Sequence, residues 1–197
     1  MQLDIFGYIF MFFVIIICLK IYNESDVYGL KCIISDVNGE KYCVRERSKL
    51  QLAADLLAKV TEKCKKLVNY VSNKYPKNED VKRLVRNFNP NRISETLPTS
   101  TLTAYSENKG EKMAFCLNTS NYGNQLIDIN TLTFVAIHEL AHSMTASIGH
   151  KPEFWKNMKF LLINAKDADL YVPIDYKKDP QQYCGLIISD NPYYDVK

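Results

Sequence analysis

The chain has 197 residues, 47% of them hydrophobic and 24% charged, and a formal net charge of +3. That length and balance suit one folded domain with a core of its own, and they exclude a disordered or repetitive chain. So small a charge gives no electrostatic argument for nucleic acid, which stays a partner the sequence allows without supporting.

The chain opens on an uncharged apolar run from Ile5 to Leu19, with Ile21 and Tyr22 beyond Lys20. The run is at the short end for a spanning helix. The residues before it, Met1-Gln2-Leu3-Asp4, are acidic where a signal peptide is basic, and no small-residue cleavage site follows. It has no polar face, which argues against a core helix. The expectation is a transmembrane helix within residues 1–22, meeting the membrane through residues 5–22. Lys20, Lys31, Lys41, Arg45, Arg47 and Lys49 follow it. By the positive-inside tendency this single-pass arrangement places the remaining chain in the cytosol. The sequons at Asn23 and Asn118 matter only on the opposite side.

Residues 23–45 read as a tether, either a juxtamembrane spacer or a hairpin. Tyr28 to Ser35 and Lys41 to Val44 flank Asn38-Gly39, a strong turn signal. Of six cysteines, Cys18 lies in the apolar run. The other five, Cys32, Cys43, Cys64, Cys116 and Cys184, include no close pair, and an odd number fits free thiols. Cys32 with Cys43 is the one candidate bridge, across the hairpin.

Residues 46–197 read as the functional domain. A helix is expected from about Glu46 to Ser72, because Leu50, Ala53, Leu57, Val60, Cys64, Leu67 and Val71 recur at three- and four-residue steps. Its lysines, Lys59, Lys63, Lys65 and Lys66, read as a solvated face without interleaved aromatics. Tyr75-Pro76 ends it, and a second short helix is expected from Asn78 to Phe88. Residues 93–127 read as β structure, with Thr101–Tyr105 and Lys112–Leu117 joined by a glycine turn. Ala114 to Asn118 is the expected sheet edge along a substrate cleft. The tail after residue 166 is rich in tyrosine and broken by Pro173, Pro180, Gly185 and Pro192. One of its tyrosines is a candidate to steady an oxyanion, without the sequence saying which.

All three histidines of the chain lie in one window, at His138, His142 and His150. Four residues apart on a helix, His138 and His142 share one face and can grip one metal ion. Glu139 is rotated about 100° from His138, beside the ion without binding it. This is the H-E-x-x-H arrangement of zinc peptidases, with Glu139 as general base. Asn130 is the expected N-cap. A tetrahedral catalytic zinc takes a third protein ligand and keeps one position open. His150 is that ligand if the helix ends over Ser143–Ser147, with Gly149 as its left-handed stop. Pro152 then opens another helix reaching about Asn164, with Phe154, Trp155, Met158, Leu161 and Leu162 inward.

The segments His138-Glu-Leu-Ala-His142 and Gly149-His150-Lys-Pro-Glu-Phe154-Trp155 resemble the SprT and WLM group of zinc metallopeptidases. The resemblance spans roughly residues 46–165 in architecture and 131–160 in motif. It implies an α+β, zincin-like core, a small sheet packed on helices, with the H-E-x-x-H on one of them. It implies zinc on His138, His142 and His150 and Glu139 as base. Relatives of that group cleave proteins, including proteins crosslinked to DNA. The resulting expectation is a membrane-anchored zinc endopeptidase acting on proteins or peptides. A DNA-associated protease and a catalytically silent, zinc-stabilised membrane interaction protein are the alternatives.

Overall fold

The computed structural model describes residues 5–24, 29–120, 123 and 125–195, with only the backbone of residues 22–24. Tyr28 and the end of the sequon at Asn23 lie outside the described residues.

The first helix, α1 (Ile5–Glu24), carries the apolar run with its described side chains exposed or, at Gly7, half-exposed. The uncharged stretch Ile5–Leu19 rises only about 22 Å at 1.5 Å per residue before Lys20, short of the roughly 30 Å of a hydrocarbon core. Among the described residues no helix is long and apolar enough to cross a membrane. The expected transmembrane helix, its membrane contact through residues 5–22 and the single-pass localisation are therefore corrected.

The remaining described architecture is α+β. A hairpin of β1 (Leu30–Ile34) and β2 (Lys41–Arg45) turns through Asn38-Gly39, with Gly39 at φ 72°. Tyr42 and Val44 of β2 enter the core. Helix α2 (Leu50–Lys74) buries Ala53, Leu57, Val60, Cys64, Leu67 and Val71, and stops where Tyr75 N–H donates to the Val71 carbonyl before Pro76. Helix α3 (Glu79–Asn87) is capped by the Asn78 side chain, which accepts from the amides of Asp80 and Val81.

The central sheet has β3 (Ile93–Glu95), β4 (Ala104–Glu107) and β5 (Lys112–Phe115) in the order β3-β5-β4. Strand β5 runs parallel to β3 and antiparallel to β4. It is thus paired on both sides, so the edges are β3 and β4 and not the Ala114–Asn118 stretch expected from sequence; β3 is only three residues long and has no sequence signal of its own. The buried Glu95 of β3 accepts from the Arg45 amide at 2.7 Å and pairs with Arg47, and the Arg45 guanidinium donates to the Thr96 carbonyl at 2.7 Å.

Helix α4 (Ile129–Met144) lies under this sheet, with α2, α3 and α5 (Pro152–Asp167) against it. From Thr131 to Met144 every side chain is buried except His138 and His142, which are half-buried. The motif helix is therefore the core of the domain, opened to solvent only at the two histidines.

The tail closes the domain with a hairpin, β6 (Gln181–Tyr183) and β7 (Leu186–Ile188). Cys184 and Gly185 form its two-residue turn at φ 49° and 80°, the left-handed pair that suits the twist of a tight hairpin. Cys184 N–H donates to the Asn118 carbonyl at 2.9 Å, Gly185 N–H to the Thr119 carbonyl at 3.0 Å, and Cys184 is bonded to Cys116. Cys32 is bonded to Cys43. This corrects the expectation of free thiols. The odd number arises because Cys64 is a buried core residue of α2, its thiol pushed up to about 12 by burial.

The Cys116–Cys184 bond spans 68 residues. In the chain-entropy account such a loop closure is worth roughly 4 kcal/mol. The double variant Cys116→Ser/Cys184→Ser is expected to lose about 2–4 kcal/mol of unfolding free energy in urea titrations. A loss below about 0.5 kcal/mol would show that the backbone bonds to Asn118 and Thr119 hold the hairpin alone.

Candidate metal centre

Helix α4 begins at Asp128, whose side chain accepts from the amides of Asn130 and Thr131, both at 2.9 Å. Asn130, the expected cap, instead exchanges two hydrogen bonds with Val172 and pins the tail. The helix ends at Met144. Gly149 is left-handed at φ 79°, yet it turns the loop just before His150 rather than stopping the helix.

The loop brings His150 back over the two helical histidines. His138 Nε2 lies 3.2 Å from His142 Nε2 and 3.0 Å from His150 Nε2. The three side chains are close enough to hold a metal ion, with all candidate ligand atoms within 4.8 Å. Two nitrogens on a tetrahedral zinc at 2.0–2.1 Å stand about 3.3 Å apart, close to these separations. Phe154, fully buried, floors the cluster with ring centroids 4.8, 4.4 and 4.6 Å from those of His138, His142 and His150. Burial, then the neighbouring imidazoles, lowers His138 to about 3. Burial, then His150 and the Lys109 cation, lowers His142 to about 4. Both are neutral lone-pair donors at neutral pH, the form a metal needs.

Glu139 is buried one residue along, and burial lifts its carboxyl to about 7. It makes no contact with the cluster as a fourth ligand. With His138 it lines two cavities, of about 530 Å³ and 460 Å³, that meet at this pair. The second runs along β4, past Ala104, Tyr105 and Ser106, to Gly149 and His150. The edge strand β4 therefore borders the cleft. Tyr183 is the tail tyrosine that reaches the centre: buried beside Glu139, it donates its hydroxyl to the Thr103 carbonyl at 3.0 Å. Trp155, expected inward, is 44% exposed and stacks 5.6 Å from His150.

The residues that hold His150 in place carry no motif. Lys109, left-handed at φ 60° in the β4–β5 turn, donates its ammonium to the carbonyls of Thr145, Ala146 and Ser147 at 2.7, 2.6 and 2.9 Å. Glu153 takes the other side of the same loop, accepting from the amides of Ala146 at 3.0 Å and Ser147 at 3.1 Å. Arg83 and Asn87 of α3 donate to the Met144 and Ser143 carbonyls at 2.8 and 3.0 Å. The end of α4, with orphan carbonyls and a negative dipole end, is thus clamped by cations and amides. Gly110 is fixed by the same closeness: a Cβ there would stand 2.5 Å from Ser143 Oγ. Sequence offered one signal for this clamp, a basic residue in a glycine turn, which spacing rules do not read.

Two of the four lysines expected on the solvated face of α2 are engaged within the fold. Lys65 pairs with Glu40 and Glu62, and Lys63 donates to the Leu170 carbonyl.

No family model matches the chain, and no solved structure matches it. An uncharacterized protein of Acanthamoeba polyphaga mimivirus is 32% identical over 162 residues, covering 80% of this chain and 81% of that protein. The chain belongs to that protein's family.

Two predictions follow the clamp. Lys109→Met is expected to weaken zinc affinity roughly tenfold, as loss of ligand-orienting partners does. Competition with a chromogenic chelator reads this, and unchanged affinity would show that the loop needs no cation. For Glu153, the Ser147 side chain and the Ala146 and Ser147 amides hold the carboxyl down to about 2. The Ser147 hydroxyl has no partner of its own, so the two amides carry the effect. A depressed carboxyl contributes stability that is complete above its ordinary value of 4.5 and lost as pH falls towards about 2. The Tm of Glu153→Gln should therefore lie below the parent's at pH 6, with the gap closing below about pH 3. A gap independent of pH would mean that shape, not charge, matters at this position.

Proposed function

We propose that the protein is a zinc-dependent metalloendopeptidase acting on proteins or peptides. The observation that carries this reading is the convergence of three histidine Nε2 atoms beside a buried carboxylate that does not join them. His138, His142 and His150 would hold the ion. A neutral imidazole set suits zinc among the common divalent metals. Three protein ligands, rather than four, mark a catalytic site over a structural one. Zinc bound there supplies a Lewis acid for the scissile carbonyl and a water acidic enough to ionise near neutral pH.

The rest is done by side chains. Glu139 takes a proton from the attacking water as the new C–O bond forms, then passes it to the amine nitrogen as the C–N bond breaks. Its burial, which keeps the carboxyl basic, is what that duty requires. The edge strand β4 borders the cleft and offers backbone groups to which an extended substrate adds as a further strand. The likeness to SprT and WLM peptidases over His138–His142 and Gly149–Trp155 supports the same chemistry.

The test is zinc content and turnover of the full chain. The parent should hold about one zinc per chain and His150→Ala should lose most of it. Glu139→Gln should keep the zinc yet lose at least about a hundredfold of peptide hydrolysis, the usual scale for a general base. A folded parent that takes up no zinc sinks the reading. So does hydrolysis undiminished in Glu139→Gln.

A further inference from the structure

The larger of the two cavities at the His138–Glu139 pair differs in kind from the smaller. The smaller is bordered by β4 and by polar turn and loop residues, among them Asn108, Lys109, Ser147 and His150. The larger, of about 530 Å³, is walled by Phe134 and Val135 of α4, Met158 of α5, and Leu186, Ile187 and Ile188 of the tail hairpin. Besides His138 and Glu139, Asp190 and Asp195 line it, and both pair with Lys177, at 3.1 and 3.9 Å, two carboxylates to one ammonium.

Three of its neighbours are large apolar side chains left open to solvent: Trp155 at 44%, Leu186 at 57% and Ile187 at 66%. Single exposed hydrophobics are ordinary. A group of them around one concavity marks a binding surface. The hairpin that contributes Leu186 and Ile187 is also fixed in place by the Cys116–Cys184 bond and by two backbone hydrogen bonds. The wall is preformed.

We infer that this cavity is the pocket for one large apolar side chain, of the leucine, methionine or phenylalanine class, on the substrate residue next to the cleaved bond. The inference rests on the peptidase reading and names its substrate class. Glu139 and His138 lie in the cavity wall, so an occupant is held directly against the reacting groups. The volume admits an aromatic ring, within the range of small-ligand pockets. An acidic side chain meets Glu139, Asp190 and Asp195 there and loses its hydration, so acidic residues are rejected.

Trp155 is the chain's only tryptophan, so its emission reports directly on the pocket. The experiment titrates the zinc-loaded full chain with acetohydroxamic acid and with 3-phenylpropionohydroxamic acid, following affinity by calorimetry and Trp155 by fluorescence. The phenyl compound should bind at least about tenfold tighter, from the apolar area it buries, and should alone shift Trp155 emission. Ile187→Asp, at an exposed position that folding tolerates, should collapse the difference. In cleavage assays, paired peptides with Phe or Asp at each position flanking the cut should differ at least about tenfold in kcat/KM at one position. Equal affinities, or a phenyl preference untouched by Ile187→Asp, overturns the pocket while leaving the peptidase reading standing. Absence of binding by either hydroxamate, together with absence of cleavage, overturns both.

Discussion

Neutral imidazoles do not gather of their own accord. When all three Nε2 atoms face one point as bare acceptors, the form a shared metal requires, their lone pairs repel at close range, and burial removes the water that would screen them. Here Nε2 atoms stand 3.0 and 3.2 Å apart, and burial keeps His138 and His142 from protonating to relieve the crowding. The surrounding structure has to hold them. Two of the three are placed by the helical repeat, at no extra cost once α4 forms. The third is placed by a loop of five residues, and most of the unusual contacts of the domain exist to fix that loop.

The contacts come from elements far apart in sequence. Lys109 arrives from the β4–β5 turn, Arg83 and Asn87 from α3, Glu153 from the first turn of α5. Asn157 adds a bond to the Thr145 hydroxyl at 3.0 Å. Each satisfies a backbone or hydroxyl group that the end of α4 would otherwise leave without a partner, so the clamp repairs a helix terminus and positions a ligand at once. This is why the turn tolerates left-handed Asn108 and Lys109 and a glycine with no room for a Cβ. The strain of the turn is set against three charge-assisted hydrogen bonds.

Legibility in the sequence followed the same division. His138, Glu139, His142 and His150 were readable because their relation is local: a helical spacing, a glycine and a short return. So were α2, α3, the β4–β5 hairpin and α5, each marked by its own periodicity, cap or turn. What was not readable depends on partners chosen across the fold. The order β3-β5-β4 brings Glu95 of β3 against Arg45 and Arg47, and no pattern within residues 93–118 distinguishes a central from an edge strand. Cys116 finds Cys184 across 68 residues. Asp128 outcompetes Asn130 as a cap because Val172 occupies the latter. The N-terminal run misled for a different reason. Its composition matches a spanning helix while its length does not, because the charge-free stretch ends at Lys20.

The two sides of the cleft consequently answer to different constraints. On the loop side, the same atoms that shape the groove hold His150, so a change there acts on the metal centre first. On the apolar side, Leu186 and Ile187 lie on a hairpin whose attachment runs through Cys116, Asn118 and Thr119, not through any histidine. The exposed side chains Leu186 and Ile187 can be exchanged without touching a histidine, whereas Tyr183 of the same hairpin is buried beside Glu139. On the proposed reading, selectivity and catalysis would therefore be physically separable: the reacting groups would lie on the most buried helix, and part of the side-chain choice would rest with the β6–β7 hairpin.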